Sequence, residues 1–327
     1  MKHLQTAILP TLCFLLLLCF PGTVFQGAKS GLLLWFHTVL PTLLPFFIAA
    51  NYLIRTDAAG WISRLTAPVF CRLLNITPYG CFVLICGFLC GYPTGAKTAA
   101  DLLRAGRISP SECCYLLSFC NNASPGFILN FLVLQCLKSP DLALPSLVLL
   151  LGVPLLFSAV FYRLHFPLAH RRSGTSSRPE IPADNTANKA LRALSFKPDK
   201  GSAGMADLCI MDGISSITRI GGYIMLFSIF FSLLQRIPDP PLFVKFLIST
   251  VEMTTGAMYL CSLGADGALE YAAAIFLISF GGLCCAAQTF SVIRDAGIPR
   301  FPYIAEKLAT ACVTSLIAYF YYVAIYN

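Results

Sequence analysis

Charge is what this chain has little of. Of its 327 residues only 12% are Asp, Glu, Lys or Arg, against roughly a quarter in an ordinary soluble domain. With 57% hydrophobic side chains and a mean hydropathy of +0.74, a soluble fold is excluded and the chain reads as a membrane protein with room for about six to nine crossings of about 20 residues. Histidine is scarce too, four in all, and no Cys-x-x-Cys occurs. Metal and redox chemistry are therefore not expected, and neither is a cofactor. The fifteen cysteines lie almost all inside apolar runs, where they act as small hydrophobes that pack helices. Catalytic signatures are missing as well: no Gly-x-Ser-x-Gly, no His-Glu-x-x-His and no carboxylate pair in a plausible site. Gly91-Tyr-Pro-Thr-Gly95-Ala-Lys97-Thr98 looks like a phosphate-binding loop, but Ala96 separates Gly95 from Lys97 and no strand precedes it, so the spacing fails. The expectation is a protein that is not an enzyme and binds no nucleic acid.

The positive charge that is present is concentrated. Of a net +8, the window Arg163–Lys200 holds eight basic residues against three acidic ones. Such a cluster reads as a cytoplasmic loop, and the Ser, Pro, Lys and Arg composition of 165–207 reads as a linker, able to touch anionic lipid headgroups. The first apolar segment, Leu4–Phe20, lacks a small-x-small cleavage pattern after it and is expected to be a retained helix. Lys2 and His3 would keep its start in the cytoplasm.

Long apolar segments at 31–54, 142–164, 214–234 and 301–325 read as ordinary crossings. Between them the chain is interrupted. Tyr79–Cys90 is too short to span before Gly91-Tyr-Pro-Thr-Gly95, and a polar helix, Ala96–Ala105, follows; a re-entrant hairpin fits this better than a crossing. Ser109-Pro-Ser-Glu112 is a helix start with a capping box. Ser124-Pro125 repeats that start after Asn121-Asn122, so one crossing is broken in its middle. A shift of 190 residues pairs Gly91 with Gly281 and Ile108 with Ile298, and it would place a second hairpin at Glu270–Gly297. The fold expected is all-α and polytopic, two inverted repeats with re-entrant helical hairpins and a broken transmembrane helix. Its divisions are an N-terminal helix (1–30), a first repeat (31–164), the basic linker (165–207) and a second repeat (208–327). Six crossings and two hairpins then put both termini in the cytoplasm.

Breaks in a membrane helix persist only where protein or a water-filled cavity satisfies the backbone, so the candidate site is placed there. Thr94 would cap a helix opening at Gly95, and Ser124 caps the one that Pro125 begins; each presents N–H groups and a positive dipole end suited to an anion. Lys97 adds a full charge one turn in, unless it simply pairs with Asp101. Asn121 and Asn122 can hold a carboxylate or a ring nitrogen, or bond between helices. Tyr92 can stack on a planar ligand or anchor at the interface. In the second half Gln288 and Thr289 follow Gly281-Gly282. Glu252, beside Thr254 and Thr255, is a candidate proton or coupling-ion site, with a salt bridge as the competing reading.

Gly87-Phe-Leu-Cys-Gly-Tyr-Pro-Thr-Gly-Ala-Lys97, followed by Leu117-Ser-Phe-Cys-Asn-Asn-Ala-Ser-Pro125, resembles the YlbJ family of sporulation integral membrane proteins, also called stage V sporulation protein V, within the nucleoside-recognition or Gate group. Position 90 is Cys here and more often Ser in that family. The resemblance implies a transporter in the outer forespore membrane of a spore-forming bacterium. It would move dipicolinate from mother cell towards forespore, alongside other sporulation membrane proteins. A nucleoside transporter and a non-transporting assembly factor are the rival readings.

Overall fold

The computed structural model describes residues 11, 14–56, 58, 59, 68, 70, 71, 73–165 and 202–326. Among these the chain is helical without a strand. In order the helices are α1 (Pro21–Arg55), α2 (Pro78–Cys90), α3 (Thr94–Arg104), α4 (Pro110–Cys120), α5 (125–137) and α6 (Pro140–Val160). After the linker come α7 (Ser202–Leu234), α8 (Leu242–Ser249), α9 (Met253–Cys261), α10 (Gly267–Phe280), α11 (Gly282–Val292) and α12 (Arg300–Tyr326). The expected first helix falls mostly outside the described residues, as does most of the 165–207 linker, whose last residues from Ser202 onward already belong to α7.

Local chemistry accounts for the helix starts. Four helices open on a hydroxyl residue followed by proline, and in three of them the hydroxyl makes a cap bond. Thr77 Oγ1 accepts from Gly80 N at 3.2 Å, Ser109 Oγ from Glu112 N at 3.1 Å and Ser124 Oγ from Phe127 N at 3.3 Å. In each the hydroxyl satisfies an orphan donor while proline's missing N–H costs nothing. The Glu112 carboxylate accepts from Thr77 N at 2.6 Å, which ties the start of α4 to the start of α2.

Among the described residues six stretches are long and apolar enough to cross a membrane: Pro21–Arg55, Pro110–Leu137, Pro140–Val160, Gly204–Leu234, Gly267–Val292 and Arg300–Tyr326. The protein is an all-α polytopic membrane protein. Three spans precede the linker and three follow it. In each half the order is the same: a span, a short helical hairpin, a broken span and a closing span. The hairpins are α2–α3 and α8–α9, whose arms pack on each other, whereas α10 and α11 do not pack side by side. The second hairpin therefore lies at 242–261 and not at Glu270–Gly297, which is part of a broken crossing. A shift of 161 residues aligns Thr94-Gly95-Ala96 of the first hairpin with Thr255-Gly256-Ala257 of the second.

Burial places the broken spans at the centre: 67% of the apolar window in Pro110–Leu137 and 72% in Gly267–Val292 is buried, against 11% in α1 and 22% in α12. The outer spans show large apolar side chains such as Phe25, Leu156 and Phe320, as lipid contact requires. Close backbone approach holds the layers together. A Cβ at Gly27 or Gly31 of α1 would stand 2.8 Å from backbone of α7, at Ile229 and Met225. At Gly87 and Gly95 it would fall onto the Cys120 carbonyl, so α2, α3 and the last turn of α4 meet almost backbone to backbone.

Candidate functional site

The four chain interruptions come together. The α2–α3 tip reaches the first break, where a Cβ on Gly91 would lie 2.6 Å from Ser124 N. The α8–α9 tip reaches the second: Leu283 N donates to the Thr250 carbonyl at 2.7 Å and Cys284 N to that of Val251 at 3.1 Å. The halves are then joined by Tyr92, whose hydroxyl donates to the Ser279 carbonyl at 2.9 Å. Its ring lies so close to Gly281 that a Cβ there would be 2.9 Å from Cζ.

At the centre of this arrangement is Lys307 of α12, 2% exposed. Its ammonium donates to Asn122 Oδ1 at 2.7 Å, to the backbone carbonyl of Asn121 and to Tyr92 Oη at 3.3 Å, and stands 5.1 Å from the Tyr92 ring centre. Among the described residues it is the one fully buried cation, and no carboxylate lies within ion-pairing distance of it. Beside it, Asn121 Nδ2 donates to Thr289 Oγ1 at 2.9 Å and Tyr303 Oη at 2.7 Å. Asn122 Nδ2 donates to the Phe119 carbonyl. On the elements that meet around Tyr92, three buried polar atoms have no partner: Asn121 Oδ1, Thr94 Oγ1 and Ser279 Oγ.

Of the residues that the sequence singles out, Tyr92, Asn121, Asn122 and Thr289 are bonded into one network around Lys307. The others take different places. Thr94 is the first residue of α3 and not its cap, because Pro93 holds the cap position and makes no side-chain bond. Gly95 faces the Cys120 carbonyl and serves packing. Ser124 caps α5. Gln288 Nε2 reaches only Cys284 Sγ, at 3.2 Å.

Lys97 is not a bare charge at a helix start. It donates to Asn51 Oδ1 at 3.0 Å and to Asp101 Oδ2 at 2.7 Å, and Arg104 holds the other Asp101 oxygen at 2.8 Å. Glu252 has no basic partner. Its Oε2 accepts from Thr254 N, Thr255 N and Thr255 Oγ1 at 3.1, 2.8 and 2.9 Å, which makes it the N-cap of α9. The free N–H groups expected at the breaks are largely taken by Ser124, Glu252 and the Thr250 and Val251 carbonyls.

Lys307 and Tyr303 were missed because 301–325 reads as an unremarkable apolar crossing. The signal that finds Lys307 is plain in hindsight: a lysine well inside an apolar span costs about 2.5–3.5 kcal/mol on insertion scales, and this one stands seven residues in from Arg300.

A buried polar centre, built from both halves at two helix breaks and two hairpin tips among six apolar spans, is the candidate site of this polytopic membrane protein. Over 314 residues the chain is 25% identical to the sporulation integral membrane protein YlbJ of Bacillus subtilis (strain 168), an alignment that covers 88% of this chain and 75% of that protein. No family model matches the chain, and no solved structure matches it.

Proposed function

We propose that this protein is a transporter of a small anionic metabolite, acting in sporulation. The observation that carries the reading is the convergence of two hairpin tips and two helix breaks on one buried polar centre. Irregular backbone at membrane depth needs such a setting, and in transporters it marks the solute site at the interface of two repeats. Among the described residues each half carries three spans, an odd number, and in this reading the second half is oriented opposite to the first and one rocks against the other. The similarity to a sporulation membrane protein supports a place in a membrane of the developing spore, and the family resemblance supports dipicolinate, moved from mother cell towards forespore through the outer forespore membrane.

The basic composition of the linker supports an orientation for this reading. With 166–201 cytoplasmic, three further spans carry the C-terminus to the far face. The sequence reading brings it back to the cytoplasm because it counts α10–α11 as a hairpin.

Uptake of labelled dipicolinate into proteoliposomes of the purified protein, with nucleosides as competitors, tests the function. Uptake that unlabelled dipicolinate suppresses and nucleosides do not is the expected result. Suppression by nucleosides would favour a nucleoside carrier, and absence of any flux would favour an assembly factor.

A further inference from the structure

We infer that Lys307 is the group that binds a substrate carboxylate, and that Asn122 occupies its place while the site is empty. The inference rests on the transporter reading and names the charge that selects its substrate.

A fully buried ammonium with no carboxylate in hydrogen-bonding reach is a costly group: the neighbouring acid, Glu306, adds attraction but is bonded by Ser158 at 3.2 Å, and the groups that Lys307 does bond are all neutral, the Asn122 amide, the Asn121 carbonyl and Tyr92. A carboxylate would be a better partner on both counts, charge and hydrogen bonding. The exchange is also feasible in hydrogen-bonding terms, because Asn122 touches Lys307 through one side-chain oxygen at 2.7 Å while its nitrogen is already anchored to the Phe119 carbonyl.

Unpartnered buried polar atoms supply the second, independent observation. Thr94 Oγ1 and Ser279 Oγ, 1% and 4% exposed as residues, have hydroxyls with nothing to bond, and they flank Tyr92 in sequence and through its bond to the Ser279 carbonyl. Hydroxyl donors and one ammonium suit a small carboxylate. The same arrangement gives a neutral nucleoside no use for the charge. Tyr92 in this assignment serves the ammonium, whose charge faces its ring, and not the stacking of a planar ligand.

The discriminating substitution is Asn122→Asp, which keeps the side chain's size and lends Lys307 a built-in carboxylate. Equilibrium dialysis of the detergent-purified protein with labelled dipicolinate should show at least a tenfold weaker affinity in N122D than in wild type, while the thermal unfolding midpoint of N122D is equal or higher. If Lys307 only braces the fold, N122D would gain stability and bind dipicolinate as wild type does, and that result overturns the inference. Lys307→Gln should lose the preference for dipicolinate over its neutral dicarboxamide; a preference retained in a folded K307Q also overturns it. Should K307Q fail to fold, N122D alone decides.

Flux separates this inference from the reading beneath it. Dipicolinate binding that N122D weakens, in a wild type that transports nothing, would sink the transporter and leave the carboxylate site standing.

Discussion

Alanine substitutions at three glycines test the packing that positions the site, because the structure assigns each a different penalty. At Gly95 a Cβ would stand 2.8 Å from the Cys120 carbonyl carbon and closer still to its oxygen. Ordinary carbon contacts lie at about 3.5–4.0 Å, so α3 must retreat from α4 by about 1 Å. Overpacking typically costs about 1–3 kcal/mol, and a backbone neighbour that cannot rotate away puts Gly95→Ala at about 3 kcal/mol or more. Gly106 has open space around it but a φ of +66°, so Gly106→Ala carries only left-handed strain, about 1–2 kcal/mol. Gly222 lies inside α7 with nothing within 4 Å and no positive φ, and Gly222→Ala should stabilise by about 0.5–1 kcal/mol. Thermal unfolding midpoints of the purified proteins in one detergent should therefore fall in the order Gly222→Ala, wild type, Gly106→Ala, Gly95→Ala. A Gly95→Ala protein as stable as wild type refutes the backbone-to-backbone packing of α3 on α4. If that variant were stable and yet unable to bind dipicolinate, Gly95 would return to the site as a ligand-contacting residue.

Two further substitutions probe the residues whose roles changed between sequence and structure. Glu252→Ala removes the α9 cap and should destabilise by about 0.5–2 kcal/mol, whereas the ion dependence of flux in Glu252→Gln should match wild type; a changed ion dependence would restore Glu252 as a coupling site. Asp101→Asn withdraws the carboxylate shared by Lys97 and Arg104, all three partly exposed, so its cost should stay near 1 kcal/mol or below and dipicolinate affinity should be unchanged. A large loss of affinity would bring Lys97 back into the site.

The first half of the molecule was legible because its punctuation is chemical. Ser109-Pro110 and Ser124-Pro125 start helices by the same capping logic wherever they occur, and a dozen apolar residues before Gly91 cannot span. The second half lacks those signals. Its break is a pair of glycines, Gly281 and Gly282, both at positive φ, and its hairpin tip is capped by the side chain of Glu252, which in an apolar setting reads as a functional acid. Few identities survive between the halves at any offset; the Thr-Gly-Ala match at 161 is short, and only the packing of α8 on α9 draws attention to it.

Charge is harder to place from sequence. Lys97 has an acid four residues on and pairs with it; Lys307 has no acid at ion-pairing distance, a fact of three-dimensional position that spacing does not reveal. Tyr92, Asn121 and Asn122 were found because polar residues at a break must be satisfied, but the cation that satisfies them lies 185 residues beyond Asn122.

The central claim is that a carboxylate binds at Lys307, between the tip of the first hairpin and the first helix break. An experimental structure of the protein with dipicolinate bound measures this most directly. A carboxylate oxygen should lie within hydrogen-bonding distance of Lys307 Nζ, with the Asn122 amide oxygen displaced from it. Dipicolinate seated elsewhere, for instance beside Lys97 and Arg104, with Lys307 still on Asn122, would contradict it.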